Sequence, residues 1–135
     1  MQTVEDIETL LPNGLHDAVL KRYGVDMEKG EASLYFDVWV GELEASDEAD
    51  REAYRAGTLE LSGVRYFVVE PPSKELQLVF EPFSSSAANP GTQEVRASVS
   101  LPEAPEGTFR ACFFLYAVEA FIHVCASNAR FAYDT

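Results

Sequence analysis

Gln93 to Leu101 alternate strictly, with Val95, Ala97, Val99 and Leu101 on one side and Glu94, Arg96, Ser98 and Ser100 on the other. A period of two is the spacing of a strand with one dry and one wet face, and a helix cannot gather such a set on one side. Ala32 to Gly41 repeats the pattern, setting Leu34, Phe36, Val38 and Val40 against Tyr35, Asp37 and Trp39. Breaks rich in Pro, Gly, Asn and Ser punctuate the chain about every ten residues, the rhythm of an all-β domain. The chain therefore reads as mainly β, an antiparallel sandwich or curled sheet of about eight strands with a short N-terminal helix and a second short helix. At 135 residues it can bury one core, so 1–135 is expected to form a single β-rich domain.

Val4, Ile7, Leu10 and Leu11 share helical spacing, Thr3 and Asp6 resemble a capping box, and Pro12-Asn13-Gly14 stops the helix. Ala18 to Asp26 and Ala32 to Gly41 are expected to pair as a hairpin through Glu28-Lys29-Gly30-Glu31, with Gly30 taking the positive φ that a bulged type I turn requires. Ser46 is the expected cap of a short helix that ends at Gly57. Thr58 to Glu70 reads as one long bent strand with a bulge at Ser62-Gly63, ended by Pro71-Pro72, and Leu76 to Phe80 as a short strand returning beside it. Ser84-Ser85-Ser86 and Asn89-Pro90-Gly91 mark Glu81 to Thr92 as a loop.

Thr108 to Ala126 is apolar and open to two readings. Phe114, Val118, Phe121 and Cys125 line up at helical spacing, whereas the density of aromatics favours two strands. A hairpin turning about Val118-Glu119 places Cys112 opposite Cys125, close enough in principle for a disulfide. Two cysteines in a chain expected in the cytoplasm read instead as small buried thiols.

Net charge is −13, from 23 acidic and 10 basic residues. Such a surface repels a nucleic-acid backbone or an anionic membrane and favours a basic protein partner. The longest apolar run, Ala111 to Val118, is far shorter than the ~20 residues of a spanning helix. Met1 to Leu11 carries Glu5, Asp6 and Glu8 and no basic side chain, the reverse of a secretory leader, so a cytoplasmic location is expected.

No nucleophile elbow, dinucleotide fingerprint, phosphate loop or HExxH pair occurs, and neither cysteine stands in a CxxC pair. The most acidic segment holds Glu42, Glu44, Asp47, Glu48, Asp50 and Glu52 against Arg51. Its first five carboxylates form the candidate binding surface, set against the plainer reading of a solvated loop that lacks the calcium-loop pattern. A second candidate set is His16, Asp17 and His123, as base or ligand with an orienting carboxylate in a small-molecule or enzymatic pocket. Without HxH or HxxxH spacing a metal site is not expected, no cofactor is implied, and both histidines read more simply as structural.

Leu15-His16-Asp17-Ala18 leading into a strand, followed by Phe36-Asp37-Val38-Trp39-Val40-Gly41, resembles the opening of small uncharacterised bacterial proteins, some grouped with toxin-immunity proteins. Ser62-Gly63-Val64-Arg65-Tyr66 and Glu70-Pro71-Pro72 extend the resemblance over the first half of the chain. It implies a module that acts by binding another protein, and carries no catalytic residues. The first functional expectation is thus a non-catalytic, acidic protein-interaction module. Beside it stand the pocket of His16, Asp17 and His123, and a homodimer subunit that hides the outward-facing Tyr35 and Trp39 in an interface; either a monomer or a homodimer fits.

Overall fold

Thr3 opens the first helix, α1 (Val4–Leu10), in a complete capping box: Asp6 N donates to Thr3 Oγ1 at 3.0 Å, and Thr3 N donates to Asp6 Oδ2 at 2.9 Å. Thr3, first through its backbone N–H and then through its side chain, holds the Asp6 carboxyl below its ordinary pKa. Val4 and Ile7 enter the core, and Ala129 N donates to Gln2 O, tying the helix to the far end of the chain. The computed structural model describes residues 1–71, 83–88, 99–115 and 119–135, with 83–88 described by backbone alone.

After α1 come β1 (Pro12–Leu15), β2 (Val19–Asp26), β3 (Glu31–Trp39), α2 (Glu48–Arg51), β4 (Tyr54–Ser62), β5 (Tyr66–Val69), β6 (Phe83–Ala88), β7 (Phe109–Leu115), β8 (Ala120–Ala126) and β9 (Asn128–Tyr133). The architecture is mainly β, as the alternation predicts. Antiparallel pairing runs in the order β5-β8-β7-β6-β2-β3-β4-β9. β4 and β5 are halves of one bent strand, and β8 and β9 halves of another. Because β4 pairs with β9 and β5 with β8, the two ends of this ladder belong to the same pair of strands, and the curled sheet closes on itself.

The corner is built by a bulge. Ser62 pairs with Asn128 and Tyr66 with Cys125, so Gly63, Val64 and Arg65 face only Ala126 and Ser127. Ser127 N donates to Ser62 O at 3.0 Å and Arg65 N to Cys125 O at 2.7 Å, holding both sides of the extra residue. Gly63 has φ +60°, and a Cβ there would overlap Ser127 Oγ. An extra residue in one strand bends it and lets the chain pass from one sheet face to another. The sequence places this bulge correctly at Ser62-Gly63.

Leu34, Phe36 and Val38 of β3, Leu59 and Leu61 of β4, and Phe113, Ile122 and Val124 of the β7–β8 hairpin fill the interior. Phe36 and Phe113 meet across it, with ring centroids 5.9 Å apart. The β2–β3 hairpin forms as expected, with Gly30 at φ +65° and Asp26 Oδ1 accepting from Lys29 N at 3.0 Å.

Several expectations are corrected. The second helix is a single turn capped by Asp47, because Ala53 and Tyr54 are drawn into pairing with Val40 and Trp39; Arg55 and Gly57 lie in β4. Residues 83–88, expected in a loop, form β6, whose backbone pairs with β2 on one side and β7 on the other. Ladder bonds on both edges there outweigh the weak β-propensity of serine and alanine. The hairpin reading of Thr108 to Ala126 holds, but Cys112 pairs with His123 and Arg110 with Cys125, so the cysteines are not opposite one another. Both are buried and free. β9, with Ala129 inward, has no counterpart among the strands the sequence predicts. The strand expected at Leu76 to Phe80, and most of that at Gln93 to Leu101, lie outside the described residues.

Candidate functional site

Gly41, two residues beyond the end of β3, opens the acidic segment, which is held by its own backbone. Glu42 N donates to Asp50 O at 3.0 Å, Ala45 N to Glu42 O at 3.1 Å, and Val40 N to Ala53 O at 2.9 Å. Trp39 Nε1 donates to Arg51 O at 2.7 Å, and Asn13 Nδ2 reaches Trp39 O at 3.2 Å and Gly41 O at 2.8 Å. Asp47 Oδ1 caps α2 by accepting from Ala49 N. A loop so tied presents its side chains from a fixed base, at little entropic cost on binding.

Arg51 is the segment's sole cation, and its Nη1 donates to Ala45 O at 2.8 Å. The guanidinium is thus turned onto the loop's own backbone. Glu42, Glu44, Asp47, Glu48 and Asp50 are all exposed, and among the described residues no basic side chain pairs with them. Between Glu42 and Glu44, Leu43 stands 75% exposed. The result is an anionic platform with one protruding apolar side chain.

Gly41 is essential to this arrangement, since a Cβ there would overlap Arg51 O and crowd Trp39 Nε1. Gly41→Ala is expected to lower stability by about 1–3 kcal/mol through this overpacking. Denaturant unfolding measures the loss, and an unchanged midpoint would show that the segment is not locked to Trp39 in solution.

His16 and Asp17 lie in the turn between β1 and β2, both exposed, with Nε2 to Oδ2 at 3.3 Å. Asp17 takes φ 57°, a conformation that aspartate tolerates better than most residues. The His16 ring lies 6.5 Å from that of Trp39, which places it on the flank of the acidic platform.

His123 belongs to another part of the molecule. It is buried on the face of β8 turned away from the interior, and its Nε2 lies 2.8 Å from Glu70 Oε2. The other carboxylate oxygen, Glu70 Oε1, accepts from Phe121 N at 3.0 Å, while Glu70 N donates to Phe121 O. The Phe121 ring stacks on His123 at 5.7 Å. Cys112, opposite His123, and Cys125, two residues beyond it, share that face with Tyr66, whose pKa is raised by burial and further by the neighbouring thiols. The two histidines have different partners, and the structure does not bring His16, Asp17 and His123 to one centre. Among the described residues no group of three or more His, Cys, Asp or Glu side chains is placed to hold a metal ion.

Three clefts of about 260, 330 and 210 Å³ are lined respectively by Glu60 and Arg130, by Thr3 and Arg110, and by Leu10 and Phe131 with their neighbours; none of the three includes His16, Asp17 or His123. Tyr35 and Trp39, expected to seek an interface, have partners within the chain: the Arg22 guanidinium lies 4.1 Å over the Tyr35 ring, and Trp39 binds Arg51 O.

Sequence reasoning found the acidic segment but not its rigidity, which depends on Asn13, Trp39 and Gly41. It also missed Glu70 as the partner of His123; the signal was a single carboxylate closing the apolar run Tyr66-Phe67-Val68-Val69. No family model, curated protein or solved structure matches the chain. Among the described residues no helix is long and apolar enough to cross a membrane.

Proposed function

We propose that this chain is a non-catalytic interaction module that presents the platform of Glu42, Glu44, Asp47, Glu48 and Asp50, tipped by Leu43, to a basic partner protein in the cytoplasm. The observation that carries the reading is the orientation of Arg51. Its guanidinium is hydrogen-bonded to Ala45 O and, among the described residues, to no carboxylate, so the five acidic side chains carry no ion pair and the loop keeps a net negative face. Charge of one sign on a fixed surface steers encounter with an oppositely charged partner, and an exposed leucine within it supplies the apolar contact that slows dissociation. The resemblance of the opening residues to toxin-immunity proteins agrees with this reading and makes a basic, nucleic-acid-cleaving toxin the first partner class to test.

The test is association kinetics with a partner captured from the source cell, for the wild type and a variant with the five carboxylates changed to amides. Neutralisation is expected to slow association at least tenfold at low salt and to flatten its salt dependence. Leu43→Ala is expected to act mainly on dissociation. Thermal stability should barely change in either variant, because exposed charges contribute little to it. Equal rates and equal salt slopes for wild type and variant would reduce the segment to a solvated loop.

A further inference from the structure

The outer face of β3, β4 and β9 carries a charged patch beside the corner at Ser62-Gly63. The register sets Ser33, Glu60 and Arg130 in one row across the three strands, and Glu31, Ser62 and Asn128 in the next. Apart from Ser33, these residues line a cleft of about 260 Å³. Opposite charges directly across a ladder ordinarily pair. Here Glu60 Oε2 accepts instead from Ser33 Oγ at 2.6 Å, which draws the carboxylate toward β3 and away from Arg130. Among the described residues no carboxylate forms an ion pair with Arg130, and no cation forms one with Glu31 or Glu60. Gln2 N donates to Asn128 Oδ1 at 2.7 Å, which orients that amide and leaves its NH2 to donate.

We propose that this cleft binds a free basic amino acid of the lysine type, with its α-carboxylate on Arg130 and Asn128, its α-ammonium on Glu60 and its side-chain cation on Glu31. Two carboxylates and one guanidinium around one cleft complement an occupant with two cations and one anion, the charge pattern of lysine and arginine. Spacing agrees with that assignment. Glu60 and Arg130 are direct cross-strand neighbours, about 4.5–5.5 Å apart at Cβ, which suits two groups carried on one α-carbon. Glu60 and Glu31 stand on a diagonal, roughly 7–8 Å apart, a span for the long stem of a basic side chain.

Size agrees as well, since the cleft falls just below the ~300–1,000 Å³ of drug-sized sites and so fits a single amino acid. The Arg130 guanidinium disfavours a bare metal ion between the two carboxylates. Because the cleft opens to water, each ion pair is screened and the affinity is modest.

The test follows amide chemical shifts of the full chain at ~0.15 M salt during titration with L-lysine and L-arginine. At least one is expected to bind with a Kd of about 1 mM, with the shifts centred on Glu31, Glu60, Ser62 and Arg130. Lysine amide separates the site from general attraction. A chain of net charge −13 would favour this dication over lysine, whereas the cleft should bind it about tenfold more weakly for want of the carboxylate. Nα-Acetyl-lysine, which keeps the side-chain cation as a peptide would present it, should also lose about tenfold. Glu31→Gln and Glu60→Gln should each weaken lysine binding about tenfold, and Arg130→Gln should abolish the preference for lysine over its amide. Glu103→Gln makes the same charge change at an exposed position elsewhere and should leave binding unaltered. No binding of either amino acid up to about 10 mM, shifts centred away from the cleft, or an amide or acetyl derivative that binds as tightly as lysine would overturn the proposal.

Discussion

Glu70→Ala is expected to cost several kcal/mol of unfolding free energy, about 1–3 kcal/mol for each buried polar group left without its partner. The carboxylate accepts from Phe121 N and lies 2.8 Å from His123 Nε2, with both side chains almost wholly out of water. Removing it strands two polar groups at once. Glu70→Gln keeps an acceptor for Phe121 N and should lose far less, about 1 kcal/mol. Replacing the pair by Glu70→Met with His123→Leu should recover much of the loss, short of full recovery by the orphaned Phe121 N–H, about 1–3 kcal/mol. Denaturant unfolding of the four proteins separates these outcomes. A loss below about 1 kcal/mol for Glu70→Ala would mean that water reaches the pair and that its burial is not maintained in solution.

Phe113→Ala should be as damaging, about 3–5 kcal/mol, since its side chain is fully buried and few neighbours can collapse into the space. Its ring meets that of Phe36 across the interior, joining β7 to β3 through side chains rather than backbone bonds. Phe36→Ala should cost a similar amount, and the double variant less than the sum by about 0.5–1.5 kcal/mol, the coupling of an aromatic pair. Additive losses would show that the two walls of the sheet do not lean on one another there.

The sequence made some of this fold readable because the signal was local. Thr3 and Asp6 stand three residues apart and cap one helix; Asp26 to Gly30 carry their own turn chemistry; Gly63 marks a bulge that any neighbouring strand would have to accommodate. Where long-range pairing decides, local reading failed. Nothing in Ser84-Ser85-Ser86 signals a strand with partners on both edges, and the aromatic run near Cys112 gives two strands without fixing their register. A displacement of the turn by one residue moved Cys112 from Cys125 to His123.

The candidate surface divides the same way. The carboxylates of 42–52 are visible as composition, but their fixed presentation depends on Asn13 and Trp39, remote in sequence, and on the Arg51 side chain turned onto Ala45 O. The pairing of Glu70 with His123 spans more than fifty residues of chain and has no motif spacing.

Closure by two bent strands also sets the order in which the molecule can be made. The hairpins β2–β3 and β7–β8 join near neighbours in the chain and can form early, at small loop-closure cost. β4 and β5 must wait for β8 and β9, so during synthesis Tyr54–Ser62 and Tyr66–Val69 leave the ribosome with their outer edges open until residues up to Tyr133 have emerged. An open edge next to buried side chains such as Leu59 and Leu61 is the species from which aggregation starts. Ring closure is therefore a late event, and the acidic surface that the finished molecule carries also keeps its waiting halves in solution.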